Sequence, residues 1–182
     1  MSRVLILYGS TDGHTRAIAE AIGQTLNLSG IGVDLVEGGT RDPRAADYDG
    51  IIVAASLHAG KYQKPVRLWV KAHAGEFGDR PAAFVPVCLA VLQKNDPKVT
   101  ADLERILREF QDETAWRPPI VTHVAGALLY TRYNIFKRWI MKRIVAKAGG
   151  ETDTSKDYVY TDWNAVRAFA EDFARRVTRA AA

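Results

Sequence analysis

Cysteine is almost missing. Cys88 stands alone in 182 residues, which excludes a disulfide within the chain and is the usage expected in a reducing cytosol. No uninterrupted apolar run approaches the ~18 residues of a membrane-spanning helix. Met1-Ser2-Arg3 leads straight into the first apolar stretch, so no signal peptide is expected. His14, His58, His73 and His123 are scattered and form no cluster with metal-ligand spacing, so no metal is expected. No internal repeat is present. The dinucleotide fingerprint G-x-G-x-x-G and the P-loop G-x-x-x-x-G-K-[ST] are both missing, which removes two common phosphate-binding folds. A last absence is local: from Thr114 to Gly150 there is neither Asp nor Glu.

What is present suits one domain spanning 1–182, with 47% apolar and 25% charged residues. Its organising stretch is Gly9-Ser10-Thr11-Asp12-Gly13-His14-Thr15. The apolar run Val4 to Tyr8 enters it, and Ile18, Ala19, Ile22 and Leu26 leave it at helical spacing. A strand, a tight loop and a helix N-terminus present backbone N–H groups and a positive dipole end to whatever the loop holds. Ser10, Thr11 and Thr15 add hydroxyls, and Gly13 permits close backbone approach. With no lysine in the loop, a terminal monoester phosphate suits it better than a triphosphate. An ordinary capped turn is the alternative. Asp12 would repel a phosphate dianion and is expected to turn back and cap the helix near His14 or Thr15. The loop resembles the FMN phosphate loop of flavodoxins, [ST]-x-T-G-x-T, with Asp12 departing from the usual threonine.

Strand-like and helical segments then alternate. Val33–Val36, Gly50–Ala55, Ala82–Leu89 and Ile120–Ala125 read as strands two to five, and Ser56–Tyr62 as a loop. A helical turn is expected after Asp42-Pro43. Asp96-Pro97 and Asp162 read as helix starts. Five β-α units predict a doubly wound, five-stranded parallel sheet of order 2-1-3-4-5 with helices on both faces. Ligands bind such sheets beyond the strand C-termini where the order reverses, beside strands one and three. Flavodoxin-like cofactor contacts are therefore expected from Ser10, Thr11, Asp12, Gly13, His14 and Thr15, from Ser56, Leu57 and His58, and from Val87, Cys88, Leu89 and Ala90. Tyr62 either stacks on the flavin or packs in its own domain. His58 is as well explained as a solvated loop residue. Cys88 is expected to be a core side chain, and His73 and His123 packing residues.

A stretch of about 127–159 exceeds what the fold needs. It contains Phe136, Ile140 and Ile144 at four-residue spacing, and Gly149-Gly150 closes a predicted basic helix. The acid-free region holds seven basic residues: Arg117, Arg132, Lys137, Arg138, Lys142, Arg143 and Lys147. Without them 18 basic residues face 21 acidic ones, so the net +4 arises here. Basic residues interleaved with Tyr133, Phe136 and Trp139 suggest docking on an anionic membrane through Tyr130–Lys147. The alternative is a packed helix with a solvated basic face. Nothing resembles a nucleic-acid module.

Ala125-Gly126-Ala127-Leu128, Tyr130-Thr131-Arg132-Tyr133, Gly149-Gly150-Glu151-Thr152-Asp153-Thr154 and Tyr160-Thr161-Asp162-Trp163, with Asp12-Gly13 and Trp116-Arg117-Pro118, resemble the flavodoxin-like, quinone-dependent protoporphyrinogen IX dehydrogenases of bacterial haem synthesis. The resemblance covers essentially the whole chain. It implies an FMN enzyme, peripheral on the cytoplasmic face of the inner membrane, that oxidises protoporphyrinogen IX and passes electrons to a membrane quinone. Under it, Arg132 and Tyr133 are candidates for substrate contact, with no catalytic side chain identified. Thr152, Asp153 and Thr154 are candidates to close over the cofactor or to cap local structure. A flavodoxin-type electron carrier and an NAD(P)H:quinone reductase are the alternatives, and a homo-oligomer is left open.

Overall fold

The computed structural model describes residues 2–93, 95–132 and 153–181. In chain order its main elements are β1 (Arg3–Gly9), α1 (His14–Leu28), β2 (Gly32–Glu37), β3 (Gly50–His58), β4 (Lys61–Tyr62) and α2 (Lys64–His73). They continue as β5 (Ala82–Val87), α3 (Pro97–Thr114), β6 (Ile120–Val121), β7 (Ala127–Leu128), β8 (Tyr158–Val159) and α4 (Trp163–Ala180). The parallel strands lie in the order β2-β1-β3-β5-β6, the expected 2-1-3-4-5 arrangement, with β4 antiparallel on β3. Val4 pairs with Gly50 and Gly9 with Ala55, which sets the tips of β1 and β3 side by side.

Side chains alternate across the sheet. Val4, Ile6 and Tyr8 pack with Ile18, Ile22 and Leu26 of α1 and Val166, Phe173 and Val177 of α4. Leu5 and Leu7 face the other way, onto Val66, Trp69 and Val70 of α2 and Ile106 and Phe110 of α3. Both faces are buried, which is why β1 and β3 read as continuous apolar runs. Each fully buried large apolar side chain contributes about 1.5–3 kcal/mol. Exposed ion pairs such as Arg105–Glu109 and Arg176–Asp172 are worth ~0–1 kcal/mol each, so the two apolar faces hold the fold. Asp96 caps α3 by accepting from Lys98 N–H, and Asp162 caps α4 by accepting from Asn164 and Ala165 N–H, both as expected.

Several boundaries differ from expectation. Ser56–Tyr62 is not a plain loop: β3 runs on to His58, turns through Ala59 (φ 48°) and Gly60 (φ 75°), and returns as β4. Two successive positive φ angles are what a two-residue hairpin turn requires. This hairpin points Tyr62 inward, where it packs edge-on against Phe84 and Phe110. The fourth parallel strand stops at Val87, and the fifth holds only Ile120–Val121 plus a bridge from Val124 to Val87. The turn after Pro43 is Ala45–Asp47. The expected basic helix lies outside the described residues. Its flanks pair as β7 and β8, Ala127 opposite Val159 and Leu128 opposite Tyr158.

Candidate functional site

Three loops meet beyond the C-terminal tips of β1, β3 and β5. The first turns at Gly13, whose φ of 88° and ψ of −11° lie in the left-handed region that glycine enters without a Cβ penalty. Ser10 Oγ accepts the Gly13 N–H at 3.0 Å, drawing the loop into a tight crook. Asp12, half-buried, directly precedes the start of the helix. Gly13 is the N-cap of α1, and no side chain of that residue caps the helix. The first-turn N–H groups of α1 thus point out of the helix end into the crook, with no acidic residue in that turn. Thr15 is buried at the base of the crook, and Thr11 is exposed on its rim.

The second loop is tied to the first by a residue that the sequence reading missed. Gln63 sits at the N-cap of α2 and donates from Nε2 to Thr11 Oγ1 at 2.7 Å and to Ser56 Oγ. Its Oε1 is buried with no hydrogen-bond partner. Gly9 makes the approach possible, since a Cβ there would stand 2.9 Å from Gln63 Cβ and 2.7 Å from Val66 Cγ2. A polar residue just ahead of Lys64-Pro65 was the only available signal. Of the expected contacts in this loop, Ser56 is buried beside Gly9, Leu57 is half-buried against the α2–α3 core, and His58 is exposed opposite Lys61.

The third loop offers less backbone than expected. Cys88 N–H donates to Val124 O at 3.1 Å and Cys88 O accepts from Gly126 N–H at 3.4 Å, so Val87 and Cys88 spend their main chain on strand pairing. The Cys88 side chain is buried. Burial pushes its thiol pKa up, against the opposing N–H dipoles of Val91 and Ala90. It therefore stays a neutral core group, as expected. Leu89 packs on Leu128, Leu129 and Tyr130, and Ala90 opens a short helical turn, Ala90–Gln93.

The same edge of the sheet receives the ends of the 126–160 segment. Thr161 is buried and its hydroxyl donates to Ala125 O at 2.7 Å. His14 Nε2 lies 2.6 Å from the same hydroxyl oxygen. One hydroxyl carries one proton, so His14 Nε2 is the donor of that second bond. The His14 ring meets Trp163 edge-on at 5.9 Å. Asp153 accepts from the N–H and hydroxyl of Ser155. Thr154 is half-buried nearby in sequence, and Arg132 ends the turn Tyr130–Arg132. Tyr133 and Thr152 lie outside the described residues. Tyr130 is fully buried against Tyr158, so it is an internal anchor and not part of a docking face. His73 lies on α2 between Asp42 and Glu76, and His123, next to the Val124 that pairs with the third loop, has a buried Nε2 without a hydrogen-bond partner.

The donor set fits a monoester phosphate followed by a polar chain. The helix N-terminus, the left-handed Gly13 and the hydroxyls of Ser10, Thr11 and Thr15 suit the phosphate, and the orphaned Gln63 Oε1 can accept from a ligand hydroxyl. A separate depression of about 360 Å³ between Asp49, Arg80 and Ala181 opens at the opposite, N-terminal edge of the sheet. Ligands of open parallel sheets bind at the other edge. Among the described residues no helix is long and apolar enough to cross a membrane, and no group of three or more acidic, His or Cys side chains could hold a metal.

The flavodoxin domain family matches residues 5–155. A protoporphyrinogen IX dehydrogenase [quinone] of Leishmania major is 39% identical over 178 residues, covering 94% of this chain and 74% of that protein. The protein of the same name from Escherichia coli (strain K12) is 36% identical over 173 residues, covering 94% of each. Among solved structures, oxidised flavodoxin 1 of Bacillus cereus is similar with a TM-score of 0.55 and 17% identity, covering 96% of this chain and 98% of that one. That last likeness concerns the fold.

Proposed function

The chain belongs to the flavodoxin-domain family of quinone-dependent protoporphyrinogen IX dehydrogenases, and we propose that it oxidises protoporphyrinogen IX to protoporphyrin IX with FMN as cofactor and a quinone as acceptor. The observation that carries this reading is a relationship to those enzymes that runs the length of the chain, joined to a phosphate cradle at the reversal point of the sheet. The overall change removes six electrons and six protons, so one porphyrinogen reduces three quinones to quinols. FMN supplies the two-electron redox chemistry when bound.

The protein's part is to bind and orient. The crook Ser10–Thr15 would hold the phosphate through first-turn N–H groups and the hydroxyls of Ser10, Thr11 and Thr15, while Asp12 and His14 flank it. Ser56 and Gln63 would face the polar chain, and Leu57, His58, Leu89 and Ala90 the ring. Val87 and Cys88 would shape that wall through packing. Arg132 and Tyr133 are assigned to the substrate, whose carboxylates a guanidinium pairs with well. Thr152, Asp153 and Thr154 would lie toward the cofactor side of the same segment. The whole chain would act as one domain with 127–159 as its insertion.

We further assign the acid-free stretch after Tyr130, to Lys147, to docking on anionic lipid. That would place the enzyme on the cytoplasmic face of the inner membrane, beside its quinone. The concentration of all excess positive charge in one region supports this reading. The test of function is anaerobic incubation of FMN-loaded protein with protoporphyrinogen IX and a soluble quinone, read by porphyrin fluorescence. Porphyrin formation that needs both FMN and quinone is expected. Absence of turnover would support an electron carrier, and rapid flavin reduction by NADH or NADPH would support a nicotinamide-driven quinone reductase.

A further inference from the structure

The chain leaves the sheet at Ala125 and comes back at Thr161. Among the described residues, the outgoing 125–131 and the returning 157–161 run together as a neck. Three sets of contacts close that neck. Thr161 Oγ1 donates to Ala125 O at 2.7 Å, and Tyr160 N–H to Gly126 O at 3.2 Å. Ala127–Leu128 pairs with Tyr158–Val159. Thr131 adds a cross-tie, donating its N–H to Asp157 Oδ1 at 2.9 Å. The neck is therefore a built structure with its own apolar centre of Leu128, Leu129 and Tyr130.

One side chain of the phosphate crook reaches into this closure. His14 is the first residue of α1, directly after the left-handed Gly13, and its Nε2 meets Thr161 Oγ1 at 2.6 Å across 147 residues of sequence. The hydroxyl proton is committed to Ala125 O, so His14 is the donor and Thr161 the relay. Thr161 is 8% exposed, which shields this bond from competing water. The carbonyl on which the neck turns, the hydroxyl that closes it and the residue that starts the phosphate-facing helix thus form one chain of hydrogen bonds. The third loop meets the neck as well, through the Gly126 N–H to Cys88 O bond and the apolar packing of Leu89.

We propose that His14 and Thr161 are a positioning pair that couples occupation of the phosphate crook to the seating of the neck formed by residues 125–131 and 157–161. The inference rests on the FMN reading of the crook. Ordering the crook around a phosphate fixes His14, His14 fixes the Thr161 hydroxyl, and that hydroxyl holds the neck shut. Coupling of this kind is reciprocal, so loosening the neck weakens the grip on the phosphate by the same factor.

The test uses the full chain. FMN and riboflavin affinities are measured by flavin fluorescence, and amide hydrogen exchange at Gly126 and Tyr160 is followed with and without FMN. His14→Phe keeps a ring against Trp163 and removes the donor, and Thr161→Val removes the hydroxyl. Each should weaken FMN binding roughly three- to tenfold, the scale of one lost hydrogen bond. Riboflavin affinity should be unchanged, because the crook holds phosphate only. The double variant should lose no more than the weaker-binding single one. His14→Gln, whose amide reaches as far as Nε2, and Thr161→Ser should restore affinity to within about twofold. FMN should slow exchange at Gly126 and Tyr160 in wild type and not in His14→Phe. The proposal is overturned if FMN binds the single variants as it binds wild type, if the two losses add, if riboflavin affinity falls in parallel, or if FMN-dependent protection survives in His14→Phe. Failure of wild type to bind FMN would instead overturn the reading of the crook.

Discussion

Gln63 and Thr11, 52 residues apart, are joined by a 2.7 Å hydrogen bond from the Gln63 amide to the threonine hydroxyl. The same amide nitrogen holds Ser56, so one side chain sets the spacing between the loops that follow β1 and β3. Its carbonyl end is buried and unpaired. A buried acceptor without a donor costs about 1–3 kcal/mol, which a ligand hydroxyl can recover. Gln63→Leu should therefore weaken FMN binding by about 1 kcal/mol or somewhat more, with little change in thermal stability. Isothermal titration with FMN checks it, and unaltered affinity would remove Gln63 from the site.

The crook depends on backbone that only glycine adopts cheaply. Gly13 has a φ of 88°, and a β-branched residue there pays roughly 1–2 kcal/mol in strain. Thr15→Val removes a hydroxyl worth ~1 kcal/mol. The double variant Gly13→Val, Thr15→Val should lose FMN during gel filtration that leaves wild type yellow. Retention of flavin at wild-type affinity would refute the phosphate assignment.

Tyr62 makes a prediction of opposite sign. Its phenol is buried with no hydrogen-bond partner, and burial drives its pKa upward. Tyr62→Phe keeps the ring contacts with Phe84 and Phe110 and deletes the stranded hydroxyl. Stability to urea should rise by about 1 kcal/mol, with FMN affinity unchanged. A fall in FMN affinity would show that the hydroxyl serves the cofactor.

His73 stacks on Trp69 at 4.8 Å, with Nε2 2.8 Å from Asp42 and Nδ1 3.1 Å from Glu76. Burial by itself lowers the His73 pKa, but the two carboxylates together outweigh it and the net shift is upward from 6.5. Glu76 is shifted downward from 4.5, first by its hydrogen bond to His73. A raised histidine pKa contributes stability that is full below the unfolded value and lost as pH rises through the folded one. A lowered glutamate pKa contributes stability that is full above its unfolded value and lost as pH falls through the folded one. The cluster is thus most stabilising between about pH 4.5 and 6.5. Urea unfolding of His73→Gln should show its largest deficit in that window, shrinking as pH rises through the raised His73 pKa. A deficit independent of pH would mean that His73 acts through packing alone.

Lys137, Arg138, Lys142 and Arg143 test the membrane assignment. Basic residues at an anionic surface are worth about 1 kcal/mol each when they reach it. Changing all four to Gln should lower binding to phosphatidylserine-containing vesicles and make what remains less sensitive to salt, while FMN binding stays intact. Turnover with a lipid-embedded quinone should fall and turnover with a short-chain quinone should survive. Loss of both activities with FMN still bound would move these residues to the porphyrinogen site.

Local sequence determined the layers of this protein. Val4–Tyr8 and Gly50–Ala55 are apolar throughout because a central parallel strand is buried on both faces, and Ile18, Ile22 and Leu26 repeat at the pitch of a helix that covers one of them. Asp96 and Asp162 mark helix starts because a capping carboxylate bonds to amides two or three residues on, an interaction contained in the sequence itself. The tertiary structure decided the rest. Tyr62 could have stacked on a ligand or packed in its own domain, and a two-residue hairpin turned it into the core. The partners of Gln63 and Thr161 were not legible, because they lie 52 and 147 residues away. Periodicity reports which face of an element is buried. Which polar atom meets which across the sheet edge depends on how the elements dock, and the β1–β3 register and the closing of the neck settle that only when the whole chain is folded.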